Sequence, residues 1–132
     1  MSNQVVFTNG CFDVLHYGHF KLLEFCRSLG KKVIVGLNSD SSVKRLKGKE
    51  RPFNSESVRK FNLSSIKFVD EVIIFNEDTP LLLVKEIKPD IIVKGGDYER
   101  EAVVGHDLAE VKIFGYLNGY STTETIKNIS NR

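Results

Sequence analysis

Five short runs of β-branched and aromatic residues alternate with helix-spaced segments along this chain. That alternation narrows its fold more than any other feature. The runs are Gln4–Thr8, Lys32–Leu37, Glu71–Phe75, Ile91–Val93 and Val111–Phe114. Strands that alternate with helices pair in parallel, with right-handed crossovers that cover both sides of the sheet. The expectation is an α/β, Rossmann-like fold: a five-stranded parallel sheet with helices on both faces. At 132 residues the chain fits one domain, read as 1–132, which buries about two thirds of its unfolded surface. Ligands of such sheets bind beyond the carboxyl ends of the strands, where the strand order reverses.

The residues between the runs fit this reading. Asn9-Gly10 ends the first strand. Phe20, Leu22, Leu23, Phe25, Cys26 and Leu29 keep helical spacing from Gly18 to Leu29, and Gly30 stops that helix. Asn38-Ser39-Asp40-Ser41-Ser42 is turn and N-cap chemistry, opening a short helix through Leu46. Ser55 begins a helix whose apolar positions are Val58, Phe61, Leu63 and, near its end, Ile66. Thr79-Pro80 begins another, with proline in the first turn, running to about Ile87 before Pro89-Asp90 breaks it. Ser121-Thr122-Thr123 caps a final helix with Ile126 and Ile129 inward. Tyr98 to Ala109 is the least regular stretch and reads as a loop.

Composition removes several function classes. Nineteen basic and 17 acidic residues leave a formal net charge of +2. A footprint on nucleic acid needs a clustered basic excess, so no nucleic-acid partner is expected. The longest apolar runs are a few residues, too short to span a membrane, and the N-terminus has no signal-peptide pattern. Cys11 and Cys26 fit no metal spacing and make no disulfide scaffold, so reduced thiols in a cytoplasmic protein are expected. One charge cluster stands out. Lys44 to Pro52 holds five basic residues in nine positions: Lys44, Arg45, Lys47, Lys49 and Arg51. Most such runs are solvated loops.

The segment with chemical content follows the first strand: Thr8-Asn9-Gly10-Cys11-Phe12-Asp13-Val14-Leu15-His16-Tyr17-Gly18-His19. His16 and His19 are three apart at a helix start, a spacing that turns both rings the same way, toward the cleft beyond the strand. The helix N-terminus adds unpaired N–H groups and the positive end of its dipole, and Gly10 lets backbone approach a phosphate. Two surface histidines, or a zinc pair completed by His106 with Asp97 or Asp107, are the other readings. No spacing supports a zinc set.

Taken jointly, strand, Thr-Asn-Gly, an aromatic-Asp pair and His-x-Gly-His resemble the signature of the cytidylyltransferase-like branch of the HIGH-motif nucleotidylyltransferases. The resemblance runs nearly end to end. Lys94-Gly95-Gly96-Asp97-Tyr98 and Gly119-Tyr120-Ser121-Thr122-Thr123 stand in order at the expected places. Asn38-Ser39-Asp40, Lys44-Arg45-Leu46-Lys47-Gly48 and Arg51-Pro52 are especially similar to the adenylyltransferase domain of bifunctional ADP-heptose synthases, which activates D-glycero-β-D-manno-heptose 1-phosphate. Glycerol-3-phosphate cytidylyltransferase is the next relative. It usually has Arg-Thr-Glu-Gly before its Ser-Thr-Thr, where this chain has Tyr116-Leu117-Asn118-Gly119. The 132 residues hold no kinase domain, so a stand-alone transferase is expected.

The resemblance implies AMP transfer from ATP (or CMP transfer from CTP) to a phosphorylated sugar or polyol. The heptose phosphate gives ADP-heptose, a step of lipopolysaccharide biosynthesis, and glycerol 3-phosphate gives CDP-glycerol in the alternative. It implies that His16 and His19 donate hydrogen bonds to the NTP phosphates, while the acceptor phosphate, already an anion, needs no base. Lys44 and Lys47 would reach the phosphates, and Arg59 matches a family arginine that contacts them. Thr8, Asn9, Gly10, Cys11, Phe12 and Gly18 would form the phosphate loop, with Cys11 packed rather than nucleophilic. Lys94, Gly95 and Asp97 would line the nucleotide pocket, and Ser121, Thr122 and Thr123 would hold a β- or γ-phosphate at the last helix. Asp13, Asn38, Asp40 and Arg51 are assigned to substrate binding, with Asp13 orienting either the histidine loop or the sugar phosphate, although it fits a turn former equally well. A Mg²⁺ ion bridging phosphates, with no dedicated protein cage, is the expected cofactor. Members are commonly dimers, which makes a homodimer an expectation. A nucleotide-binding module without catalysis is the reading from another class.

Overall fold

The first apolar run becomes the central strand, β1 (Val5–Gly10), with parallel neighbours on both sides. The structure, a computed structural model, describes residues 3–115. Ser121, Thr122, Thr123 and the final helix expected there lie outside the described residues. The chain passes from β1 through α1 (Tyr17–Leu29) to β2 (Lys32–Asn38), then α2 (Asp40–Lys47), α3 (Glu56–Ser64) and β3 (Glu71–Phe75). It crosses back through α4 (Leu81–Ile87) to β4 (Ile91–Gly95) and ends in β5 (Glu110–Phe114). The sheet order is β3-β2-β1-β4-β5, every pair parallel. Strand order therefore reverses between β1 and β4, and a cleft is expected at their carboxyl ends.

Successive strand residues serve opposite faces, and both faces are dry. On one, Val6, Val33, Val35, Leu37 and Val93 meet Leu22, Leu23 and Cys26 of α1 and Leu63 of α3. On the other, Phe7, Ile34, Phe75 and Ile92 meet Leu83 and Val84 of α4, with Val103 from the segment after β4. The expected Rossmann-like sheet with helices on both faces is what forms.

Four local expectations change. β1 continues through Asn9-Gly10, because β2 supplies parallel partners at Gly36 and Leu37. The basic run is not one loop: Lys44, Arg45 and Lys47 occupy the last turn of α2, where cations suit the helix dipole. In α3 the apolar Val58 and Phe61 face outward, 45% and 71% exposed, while Arg59 and Leu63 face inward. The Ser55 cap, whose Oγ accepts from the Val58 amide, sets that helical phase, and positions 59 and 63 share one face. Within the stretch read as a loop, Arg100–Ala102 forms a 3-10 turn and Val103 is buried. No helix among the described residues is long and apolar enough to cross a membrane.

Candidate active site

α1 starts on a pair of histidines that cap it reciprocally. His16 is the N-cap, in extended conformation, and its Nδ1 accepts from the Gly18 amide at 3.1 Å. His19, at the third helical position, accepts from the His16 amide through its own Nδ1 at 3.3 Å. This is a capping box built from imidazoles instead of the usual Ser or Thr with Glu. With Nδ1 an acceptor in both, the tautomer inferred for each neutral ring carries its proton on Nε2. The ring centroids are 3.9 Å apart, and Phe12 stands 5.2 Å from His19. Burial lowers the pKa of both histidines; His19 falls to about 3, with the charge of His16 adding to the burial effect.

That shift has a pH signature. Below about 6.5 the unfolded histidines take up protons that the folded ones refuse, so the unfolded state binds more protons. Stability therefore falls as pH drops from 6.5 toward 3, the range set by His19. His19→Gln keeps a capping acceptor that does not titrate, so thermal unfolding measured from pH 7 to pH 4 is expected to show a shallower acid loss in that variant. Equal losses in the variant and the parent protein would contradict the capping role.

The segment before α1 is held in an uncommon conformation. Phe12 has φ 46°, in the left-handed region that a bulky residue enters only when its surroundings impose it. A β-carbon at Gly10 would stand 3.1 Å from the Phe12 ring, so glycine there leaves the ring its place under His19. The next residue, Asp13, has a side chain 0% exposed. Its carboxylate accepts from Arg51 Nε at 3.1 Å, the Phe53 amide at 2.7 Å and the Asn54 amide at 2.8 Å. Its carbonyl accepts from Asn54 Nδ2 at 2.8 Å.

Arg59 does not sit where the sequence placed it. Expected at the phosphates, its guanidinium is 0% exposed and does not line the cleft. Nε donates to Asn54 O at 2.9 Å, Nη1 to Cys11 O at 2.9 Å and Asn38 O at 2.8 Å, and Nη2 to Asp40 Oδ1 at 2.9 Å. It ties the ends of β1 and β2 to α2 and to the approach of α3.

A cleft of about 640 Å³ opens where strand order reverses. It brings together Asn9, Gly10, Cys11, Phe12, Asp13, His16 and His19 from the β1–α1 connection, Asn38 from β2, and Lys47 and Arg51 from the basic run. Lys94, Gly95 and Asp97 close it from β4. Other expected residues are not in its lining. Thr8 is buried in the sheet, Gly18 spends its amide on His16, Asp40 pairs with Arg59, and Lys44 lies on exposed surface almost one turn back from Lys47. Tyr98 of the Lys94–Tyr98 motif lines the cleft too, as do Asp78, Thr79 and Pro80, to which the sequence assigns no site role. Their signal was position: Asp78 to Pro80 follow β3 at its carboxyl end. Arg45 fixes that connection by pairing with Asp78 at 2.8 Å and donating to Asn76 O.

The charges in the cleft are arranged for anions on one side. Burial lowers the pKa of Lys94, whose Nζ lies 5.1 Å over the Tyr98 ring, and the charge of Lys47 pushes the same way. A partly desolvated ammonium gains more from a phosphate oxygen than a fully hydrated one does. Cys11 is a poor nucleophile: burial raises its thiol pKa, although Lys47, Arg59 and Arg51 pull against the rise. Among the described residues no group of three or more His, Cys, Asp or Glu side chains could hold a metal, so the zinc reading with His106 finds no set.

Residues 7–128 match the family model described as cytidylyltransferase-like. The chain belongs to that family. This cytidylyltransferase-like chain is 55% identical over 130 residues to the bifunctional protein HldE of Aliarcobacter butzleri, and 57% identical over 127 residues to that of Campylobacter concisus. The two alignments take in 98% and 96% of this chain but 27% of each relative, so the chain spans about a quarter of their length. Among solved structures, the lipopolysaccharide core biosynthesis protein from Thermoplasma volcanium is 31% identical with a TM-score of 0.70, over 89% of this chain and 98% of that one. Pantothenate synthetase from Thermus thermophilus shares the fold alone, at 20% identity and a TM-score of 0.58 over 95% of this chain and 64% of that one. With the family comes the enzyme class: the cytidylyltransferase-like chain is a nucleotidyltransferase.

Proposed function

We propose that this nucleotidyltransferase transfers AMP from ATP to a sugar 1-phosphate, D-glycero-β-D-manno-heptose 1-phosphate, releasing ADP-heptose and pyrophosphate, and that residues 1–132 act as one catalytic domain. The observation that carries the reading is one cleft holding the histidine capping box, Lys47, Arg51 and Lys94. The similarity to HldE proteins and to a lipopolysaccharide core biosynthesis protein supports the acceptor.

An oxygen of the acceptor phosphate attacks the α-phosphorus, forming one P–O bond while the bond to pyrophosphate breaks. The bonding pair leaves with pyrophosphate, and no proton has to be removed from the attacking anion. The protein's part is positioning and charge stabilisation. His16 and His19, neutral and protonated on Nε2, donate to phosphate oxygens as charge builds on them. Lys47 and Lys94 compensate the triphosphate and the acceptor phosphate. The bonds that occupy Asp13, together with the lack of any three-ligand cluster among the described residues, fit a Mg²⁺ ion carried by the nucleotide and not by the protein. Such an ion would neutralise part of the phosphate charge.

Pyrophosphate release measured across four NTPs, each paired with sugar and polyol phosphates, tests the proposal. ATP with heptose 1-phosphate is expected to turn over at least tenfold faster than CTP with glycerol 3-phosphate, a difference of about 1.4 kcal/mol in the barrier. Equal or faster turnover of the second pair would overturn the substrate assignment. Nucleotide binding without any product would favour the non-catalytic module.

A further inference from the structure

The transfer proposed above gives no task to Asp13, a buried carboxylate at the floor of the cleft. Three donors already occupy its two oxygens, so it is badly placed to take a proton or to hold an ion. What it does hold is Arg51. That side chain is 16% exposed and lines the cleft, and its guanidinium lies 5.5 Å over the Phe53 ring. Asp13 takes Nε alone. Among the described residues neither Nη group of Arg51 donates to another group. A guanidinium pinned at Nε and flanked by an aromatic ring has one edge left, and that end-on Nη pair matches two oxygens of a phosphate.

The platform under Arg51 is gripped from both sides. Asp13 binds the amides of Phe53 and Asn54, and Arg59 binds the Asn54 carbonyl together with Cys11 O and Asn38 O. Segment 51–54 is therefore fixed to the loop that carries the histidines. We propose that Arg51 is a phosphate-binding residue of the cleft and that Asp13 is its positioning residue, acting on substrate only through the guanidinium it orients. The proposal rests on the nucleotidyl-transfer reading for what the phosphate belongs to, and on geometry for the pairing.

The test is calorimetric titration of the full chain with inorganic tripolyphosphate, which needs no turnover, beside steady-state pyrophosphate release. Arg51→Gln is expected to weaken tripolyphosphate binding about 10- to 100-fold, the scale of a charge-assisted pair. Asp13→Asn is expected to weaken it by about 5- to 30-fold, acting mainly on KM in turnover. The double variant should bind within twofold of Arg51→Gln, because Asp13 has nothing left to orient. Arg51→Lys should resemble Arg51→Gln, since lysine has no second edge to present. If Asp13→Asn does not fold, Asn54→Ala removes only the bond to the Asp13 carbonyl, and its few-fold loss should vanish in the Arg51→Gln background.

Losses that multiply in the double variant would mean that Asp13 acts independently of Arg51 and would overturn the proposal. Tripolyphosphate binding within twofold of the parent in Arg51→Gln or in Asp13→Asn would overturn it as well. A parent protein that releases no pyrophosphate from any pair of substrates defeats the transfer reading, while the titrations still decide the pairing of Asp13 with Arg51.

Discussion

His16→Ala is expected to slow pyrophosphate release by about two to three orders of magnitude, the usual loss for removing one donor aimed at developing charge. The same change also removes the N-cap of α1, which costs about 1 kcal/mol of stability. A second variant separates the two effects. The side-chain oxygen of His16→Asn can accept from the Gly18 amide as Nδ1 does now, so the thermal midpoint should return close to the parent's. Asparagine is too short to place a donor where Nε2 stands, so turnover should stay low. An Asn variant with parental turnover would show that the ring serves the helix alone and would remove it from the chemistry.

Arg59→Ala is expected to be the most destabilising single change in the cleft region. It removes the partner of three backbone carbonyls and of Asp40 at one stroke, and the guanidinium itself is fully buried while the Asp40 side chain is 36% exposed. Leaving three carbonyls without their donor costs about 3–5 kcal/mol, and the partly exposed Asp40 adds little to it. In a domain of this size that lowers the thermal midpoint by roughly 10 °C or more. Arg59→Met, which fills the volume, should recover only the packing share. A midpoint within two degrees of the parent for Arg59→Ala would mean that the four bonds are not holding the loops together.

Those two residues also mark what could be read from the sequence. The sheet was legible because both of its faces are buried: Val6-Phe7 and Ile91-Ile92-Val93 send neighbouring side chains into opposite cores and leave unbroken apolar runs. The histidine pair was legible because spacing and glycine content sit together in one short segment. The burial of Arg59 was not, since the family resemblance assigns this arginine to the phosphates of a ligand and not to backbone carbonyls. The helix phase that turns it inward depends on the Ser55 cap, and the carbonyls that receive it come from residues 11, 38 and 54. Lys47 and Lys44 look alike in a basic run; only the end point of α2 decides which one meets the cleft. Asp78 and Thr79 were passed over because they read as the start of a helix, although the rule that ligands gather beyond strand ends points to them.

The imidazole capping box has an electrical consequence. α1 has no acidic residue in its first turn. A glutamate at position 19 would cap the helix as well as histidine does and would add a favourable charge to its dipole. It would also place a fixed negative charge at the mouth of the cleft, in competition with any polyanion arriving there. Histidine, kept neutral by burial, fills the same hydrogen-bonding position without that repulsion. The first turn of α1 thus forgoes a small gain in its own stability and keeps its attraction for the charge of a visiting molecule.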